Sequence, residues 1–249
     1  MTTARDILET LTALRDEQQR EVLSRFFKTG PGEYGEGDKF LGLRVPQTRA
    51  VVREARLTVP LTEIDRLLAS PWHEARLCAL LLLVEEMQAA LPSKRRLGDV
   101  LRRHELVQFY LAHARQANNW DLVDLSAPGI LGQYLLHPDA SGQLPDRHLL
   151  DRLALRPNLW EQRIAIVSTL AIIRTGQYHD TLRVATLLLS HPHDLIHKAV
   201  GWMLREVGKR DIDLLRTYLA AHVAEMHRTT LRYAIERMSP LERRQWMEG

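Results

Sequence analysis

The octapeptide NNWDLVDL, running from Asn118 to Leu125, places an indole and a carboxylate, Trp120 and Asp124, four residues apart. In a helix that spacing sets both on one face. An aromatic face attracts a cation by about 0.5–2 kcal/mol. A carboxylate adds direct charge attraction, so the pair suits a cationic ligand or a positive charge that develops during a reaction. Asp124 lies between Val123 and Leu125, where a carboxylate inside a helix faces either water or a function. The ordinary reading of Trp120 is core packing. Asp121 and Asn119 fall off the shared face, near the helix start, and read as dipole complementation and capping.

A second cluster lies in KAVGWMLREVGKR, from Lys198 to Arg210. Trp202 and Arg205 are three apart and share a face, which Lys198 and Lys209 extend by about a turn at each end. Basic side chains beside an aromatic suit phosphates, although a tryptophan packed under Arg and Lys stems is the plainer reading. Gly201 sits mid-helix at a cost of about 1 kcal/mol relative to Ala, which points to close approach by another helix or a ligand. In LWEQRIAI, Trp160 and Arg163 are again three apart, and the plain reading of Arg163 is a solvent-facing repeat residue.

The elements that must position these groups are helices. Apolar residues recur with helical periodicity at roughly 3–15, 16–28, 46–57, 60–69, 72–88, 93–115, 119–137, 146–155, 159–175, 178–190, 193–208, 211–222 and 227–247. Breaks such as LPSKRR and SHPHDL separate them, and in SPWHEA the sequence predicts Ser70 as cap and Pro71 as first helical residue. One connection is long, from Lys28 to Pro46. It holds five of the thirteen glycines, with Tyr34 and Phe40 among them, and loops of that length are usually functional or disordered.

The 249 residues, 45% hydrophobic and 26% charged, allow a sizeable core in a single domain spanning 1–249. The formal charge of +3 identifies no partner by itself. A lone cysteine, Cys78 in LCALLLLV, forms no internal disulfide and reads as core packing in a reducing compartment. The amphipathic, acid-containing start is unlike a signal peptide, and no apolar run reaches the ~18 residues of a membrane span. Cytoplasmic residence is the expectation. The eleven histidines include HPHD and HPDA but no zinc spacing, so neither a metal nor a cofactor is expected.

Three helices share an opening. Arg76, Arg163 and Lys198 each precede an apolar run in the same register, with 35 residues between the last two and 87, about two repeats, between the first two. Periods of roughly 35–45 residues predict an all-α fold, a HEAT-like α-α solenoid. A basic residue at equivalent positions would make a basic stripe on the concave face, able to hold a polyanion despite the small net charge.

The segments FLGLRVPQTRAVV, NNWDLVDLSAPGILGQYLL, NLWEQRIAIVSTL and HKAVGWMLREVGKR, in this order, resemble the bacterial alkylpurine DNA glycosylases built from HEAT-like repeats, the AlkD family. The resemblance covers most of residues 20–210. It implies excision of cationic N3- or N7-alkylated purines from duplex DNA in base excision repair, with the duplex in the concave face and the base not drawn into a pocket. Asp124 matches the catalytic carboxylate, and Trp120 and Trp202 match the two aromatics of the cleft. Arg163 matches a backbone-contacting arginine and Arg205 a further basic residue, with Lys198 and Lys209 extending that DNA-binding surface. The N-terminal segment departs from the pattern: Phe26 stands where the family has a tyrosine, Arg44 stands where it has a glutamine, and the Gly-rich loop is longer, with Tyr34 as the candidate replacement aromatic. Phe26 and Arg44 are counted with the DNA contacts. A monomer in the bacterial cytoplasm, associated with the nucleoid, is what the resemblance implies. Two alternatives are a non-catalytic HEAT-repeat DNA-binding protein for branched or damaged DNA, and a protein scaffold whose concave face would be apolar.

Overall fold

The computed structural model describes residues 2–94 and 98–248. It is all-helical, as expected. An isolated bridge joins Lys39 and Trp72. Contacts cluster into two compact units, 1–130 and 131–249.

The first unit carries α1 (Ala4–Ala13), α2 (Glu17–Phe26), α3 (Val45–Ala55), α4 (Leu61–Leu68), α5 (His73–Ala90), α6 (Val100–Ala112) and α7 (Trp120–Ser126). Starts follow side-chain chemistry: Thr3 and Asp6 form a reciprocal capping box on α1, Asp16 caps α2 and Asp99 caps α6. α5 is the centre. It packs on α1, α3, α4, α6 and α7 and is buried around its first three turns, with Cys78 fully enclosed. That explains why LCALLLLV shows no polar side.

The second unit carries α8 (Leu149–Ala154), α9 (Leu159–Ile173), α10 (His179–Leu187), α11 (Asp194–Gly208), α12 (Ile212–His222), α13 (Arg228–Ala234) and α14 (Pro240–Glu248). α9 plays the central part and packs on α8, α10 and α11. α11 and α13 approach closely at Gly201, where a Cβ would lie 2.5 Å from both the Thr230 carbonyl oxygen and the Tyr233 Cβ. The mid-helix glycine therefore serves helix packing, not a ligand.

Four expected elements differ. The helix read at 119–137 is broken by a π-helical turn at Pro128–Gly132, because Pro128 has no N–H to donate. The helix read at 227–247 divides before Pro240, where the Ser239 hydroxyl accepts from the Glu242 amide at 3.2 Å. The start at Ser70–Pro71 lies two residues too early: the Ser70 hydroxyl accepts from Trp72 N, but Trp72 is extended against Lys39, and α5 begins at His73. Of the helix read at 93–115, residues 95–97 lie outside the described residues, and α6 begins at Val100.

Candidate active site

The Gly-rich connection is tied down by main-chain hydrogen bonds to a buried side chain. The Glu74 carboxylate, 1% exposed, accepts from the amides of Leu41 at 2.9 Å, Gly42 at 2.9 Å and Leu43 at 3.1 Å. Gly42 has φ +93°, and a Cβ there would lie 2.0 Å from the Asp16 carbonyl oxygen, so only glycine lets this chain reach Glu74.

Next to this cradle lies a buried charge network. His73 pairs through Nδ1 with Asp38 at 3.0 Å and through Nε2 with Asp121 at 2.9 Å. Asp38, which belongs to the loop, also receives the Arg76 guanidinium and the Asn119 amide at 3.2 Å. Burial is the largest influence on His73 and disfavours its charged form. It is outweighed by the charge and hydrogen bond of Asp121 and by those of Asp38, which raise the imidazole to about 9. Burial likewise works to raise Asp38, but its bond to His73 and the charges of Arg76 and His73 hold it below the usual carboxylate range.

An aromatic stack grows from His73. Phe40 lies on the imidazole at 4.5 Å between ring centres, Phe27 lies on Phe40 at 5.1 Å, and Trp120 lies on Phe27 at 5.3 Å and 24°. Phe26 meets Trp120 edge-on at 5.9 Å and is 60% exposed. α7 is held at both ends. The Asn119 side chain accepts from Trp120 N at 2.9 Å, and the Ser126 hydroxyl pairs with Tyr110, buried in α6, at 3.0 Å.

These elements enclose a cleft of about 420 Å³. Its apolar wall comes from Phe26, Phe27, Phe40, Leu43 and Leu77, with Trp120 beside them, and Arg44, Asp121 and Asp124 contribute charge. Trp120 and Asp124 are both part-exposed and both line it, as their four-residue spacing predicts. A larger hollow of about 820 Å³ beside α1 and α4 has no aromatic wall. The cleft can therefore offer a π face and a carboxylate to a positively charged group, with a cationic rim residue at Arg44.

A family model for DNA alkylation repair enzymes matches residues 7–238. The chain belongs to the DNA alkylation repair enzyme family. Its fold is also that of a predicted DNA alkylation repair enzyme from Enterococcus faecalis, 18% identical, with a TM-score of 0.67 over 91% of this chain and 97% of that one. No curated protein matches. Membership in a DNA alkylation repair family implies DNA as the substrate.

The remaining sequence-predicted residues lie in the second unit. Trp202 is part-exposed on α11. Lys198 pairs with Asp194 at 2.7 Å, Lys209 with Glu206 at 2.5 Å, and Arg205 with Glu236. A phosphate at any of them competes with a carboxylate.

The solvent-facing basic stripe is corrected. Arg163 is 4% exposed and donates to the Leu195 carbonyl. Arg76 is 5% exposed and donates to the Ser70 carbonyl as well as to Asp38. Both sit on helices enclosed on all sides, so a guanidinium there bonds internally instead of meeting water.

Asp121 lies in the first turn of α7 as read, with Asn119 as the cap, and in addition pairs with His73. Tyr34 is not in the cleft wall, whose aromatics are Phe26, Phe27, Phe40 and Trp120. Sequence reasoning passed over Phe27, Asp38, His73 and Glu74. A signal existed in HEAR, three titratable residues opening an apolar helix, since such groups need buried partners.

Proposed function

We propose that this chain is a monofunctional DNA glycosylase that releases N3- or N7-alkylated purines from duplex DNA. The observation that carries the reading is the joint exposure of the Asp124 carboxylate and the Trp120 ring in one apolar-walled cleft. Alkylation makes the purine cationic, so its glycosidic bond breaks with the electron pair returning to the base, which leaves neutral. Positive charge passes to the sugar at C1′. Asp124 stabilises that oxocarbenium character and orients the water that adds to C1′, whose proton is then released. Trp120, backed by Phe27, gives its π face to the cationic sugar and lesion.

The leaving group needs no protonation, which suits a cleft with one part-exposed carboxylate on this face. Arg44 and Phe26 border the cleft, where they meet the strand beside the lesion. In the second unit, Trp202 supplies the other aromatic contact, and Lys198, Arg205 and Lys209 contact phosphates. Arg163, being buried, acts by holding the start of α11.

The deciding experiment is base release from N-methylated duplex DNA, with chromatographic identification of the bases, for wild type and Asp124→Asn. Release by wild type, with at least about a hundredfold lower rate for Asp124→Asn and DNA still bound, supports the reading. An active Asp124→Asn protein would sink the assignment of the carboxylate. No release by wild type, with salt-sensitive DNA binding, would leave a non-catalytic DNA-binding protein.

A further inference from the structure

His73 is 2% exposed, and each of its ring nitrogens meets a carboxylate oxygen, Nδ1 at Asp38 and Nε2 at Asp121. A neutral imidazole has one accepting nitrogen, which would face a carboxylate lone pair. Both carboxylates are satisfied only when both nitrogens carry protons. The two acceptors belong to different elements: Asp38 comes from the Gly-rich loop and Asp121 from the first turn of α7. Asp121 follows Trp120 by one residue and precedes Asp124 by three, so whatever fixes Asp121 fixes the rotation of α7 about its axis. The other Asp121 oxygen is buried with no hydrogen-bond partner, so the bond from His73 orients this carboxylate. α7 has only seven residues, and helices that short do not hold their shape without outside contacts.

We propose that His73 is the positioning residue of the base-release site: as an imidazolium it clamps the Gly-rich loop to α7 and so sets the orientation of Trp120 and Asp124. This rests on the glycosylase reading above. The clamp places a positive charge beneath a cleft meant for a cation, but the charge is matched there. The groups facing His73 are Asp38 from the loop and Asp121 and Asn119 from α7, and its own helix adds Glu74 and Arg76. Asp38, Asp121 and Glu74 together outnumber His73 and Arg76 by one charge, so the clamp does not repel a cationic lesion. Phe27 and Phe40 cover the ring, at 5.0 and 4.5 Å between centres, which excludes competing water.

The role predicts a split between binding and chemistry. His73→Gln keeps a polar side chain but cannot donate to both carboxylates. In single-turnover base release from duplex DNA containing N7-methylguanine, its rate falls about a hundredfold, the scale of a small misplacement of catalytic groups. Its DNA dissociation constant stays within about twofold, because no DNA contact is removed. The wild-type rate falls as pH rises through about 9, and this limb is lost in His73→Gln. Nitrogen-15 NMR of labelled histidine should show two protonated ring nitrogens for His73 at pH 7.5.

If His73→Gln fails to fold, Asp121→Asn, which retains an acceptor but not the charge, should show the same loss of rate, with the alkaline limb moved to lower pH because the main influence raising His73 is gone. A His73→Gln rate within threefold of wild type, or a neutral His73 at pH 7.5, overturns the proposal while leaving the glycosylase reading intact. Wild type that releases no base overturns both.

Discussion

Replacing Glu74 removes the acceptor of three buried main-chain donors at once. Hydrogen bonds to a charged group contribute about 1.5–3 kcal/mol each, and an orphaned buried donor costs about 1–3 kcal/mol. The three bonds to Leu41, Gly42 and Leu43 therefore put Glu74→Ala at about 3 kcal/mol or more, after water entering the vacated space restores part of the loss. Glu74→Gln is a graded control. One oxygen of Glu74 serves Gly42 and Leu43 and the other serves Leu41, so an amide retains two bonds and turns an N–H toward the third donor. Its cost is about 1–2 kcal/mol, from one lost bond.

A loss of about 3 kcal/mol is a large part of the 5–15 kcal/mol that stabilises a typical native domain. Urea unfolding reads the cost, and hydrogen exchange at the Leu41, Gly42 and Leu43 amides reads its location. Those amides should exchange fast in Glu74→Ala, while amides in the core of α9 keep their protection. A cost below about 1 kcal/mol for Glu74→Ala, or equal costs for the two variants, would refute the claim that this carboxylate holds the loop.

Other consequences are as direct. Gly201→Ala should lower stability by about 1–3 kcal/mol through overpacking against Thr230 and Tyr233, despite the better helix propensity of alanine, as read by thermal unfolding. His193 caps α11 by accepting from Leu195 N at 3.1 Å, which requires a neutral ring. Burial, aided by the charges of His197, Arg163 and Lys198 and opposed by Asp194, holds its pKa below 6.5. The cap's stabilisation is thus complete above pH 6.5 and lost as pH falls through the lowered value. His193→Asn should keep the cap and lose that acid sensitivity in urea midpoints compared at pH 7.5 and 5. Burial pushes the Cys78 thiol up to about 12, so a thiol reagent should label it only in denaturant.

The helical fold was legible because most helices announce themselves by an apolar period, a capping side chain such as Asp16, Asp99 or Asn158, or both. Trp120 and Asp124 were legible for a related reason: spacing within one helix fixes a shared face. What spacing within a helix cannot give is a partner from elsewhere in the chain. Asp38 and His73 are 35 residues apart and His73 and Asp121 are 48 apart, and each taken alone resembles an ordinary polar residue. The repeated Arg76 and Arg163 misled for the same reason. Their shared register is real, yet burial of α5 and α9 turns a pattern that suggests a surface stripe into two internal anchors. Phe27 was hidden beside Phe26, because adjacent aromatics at a helix end do not reveal which one faces inward.

The way Glu74 grips the loop bears on how this cleft can change over generations. Its carboxylate touches main-chain amides, and every residue except proline has one. The grip therefore tolerates nearly any side chain that the local burial and the backbone turn at Gly42 permit. Arg44, one residue beyond the last of these bonds and exposed at the cleft, is outside both limits. Substitutions at that rim position can accumulate without loosening the wall behind it, which makes it the place where this scaffold can acquire a new lesion preference at the least cost in stability.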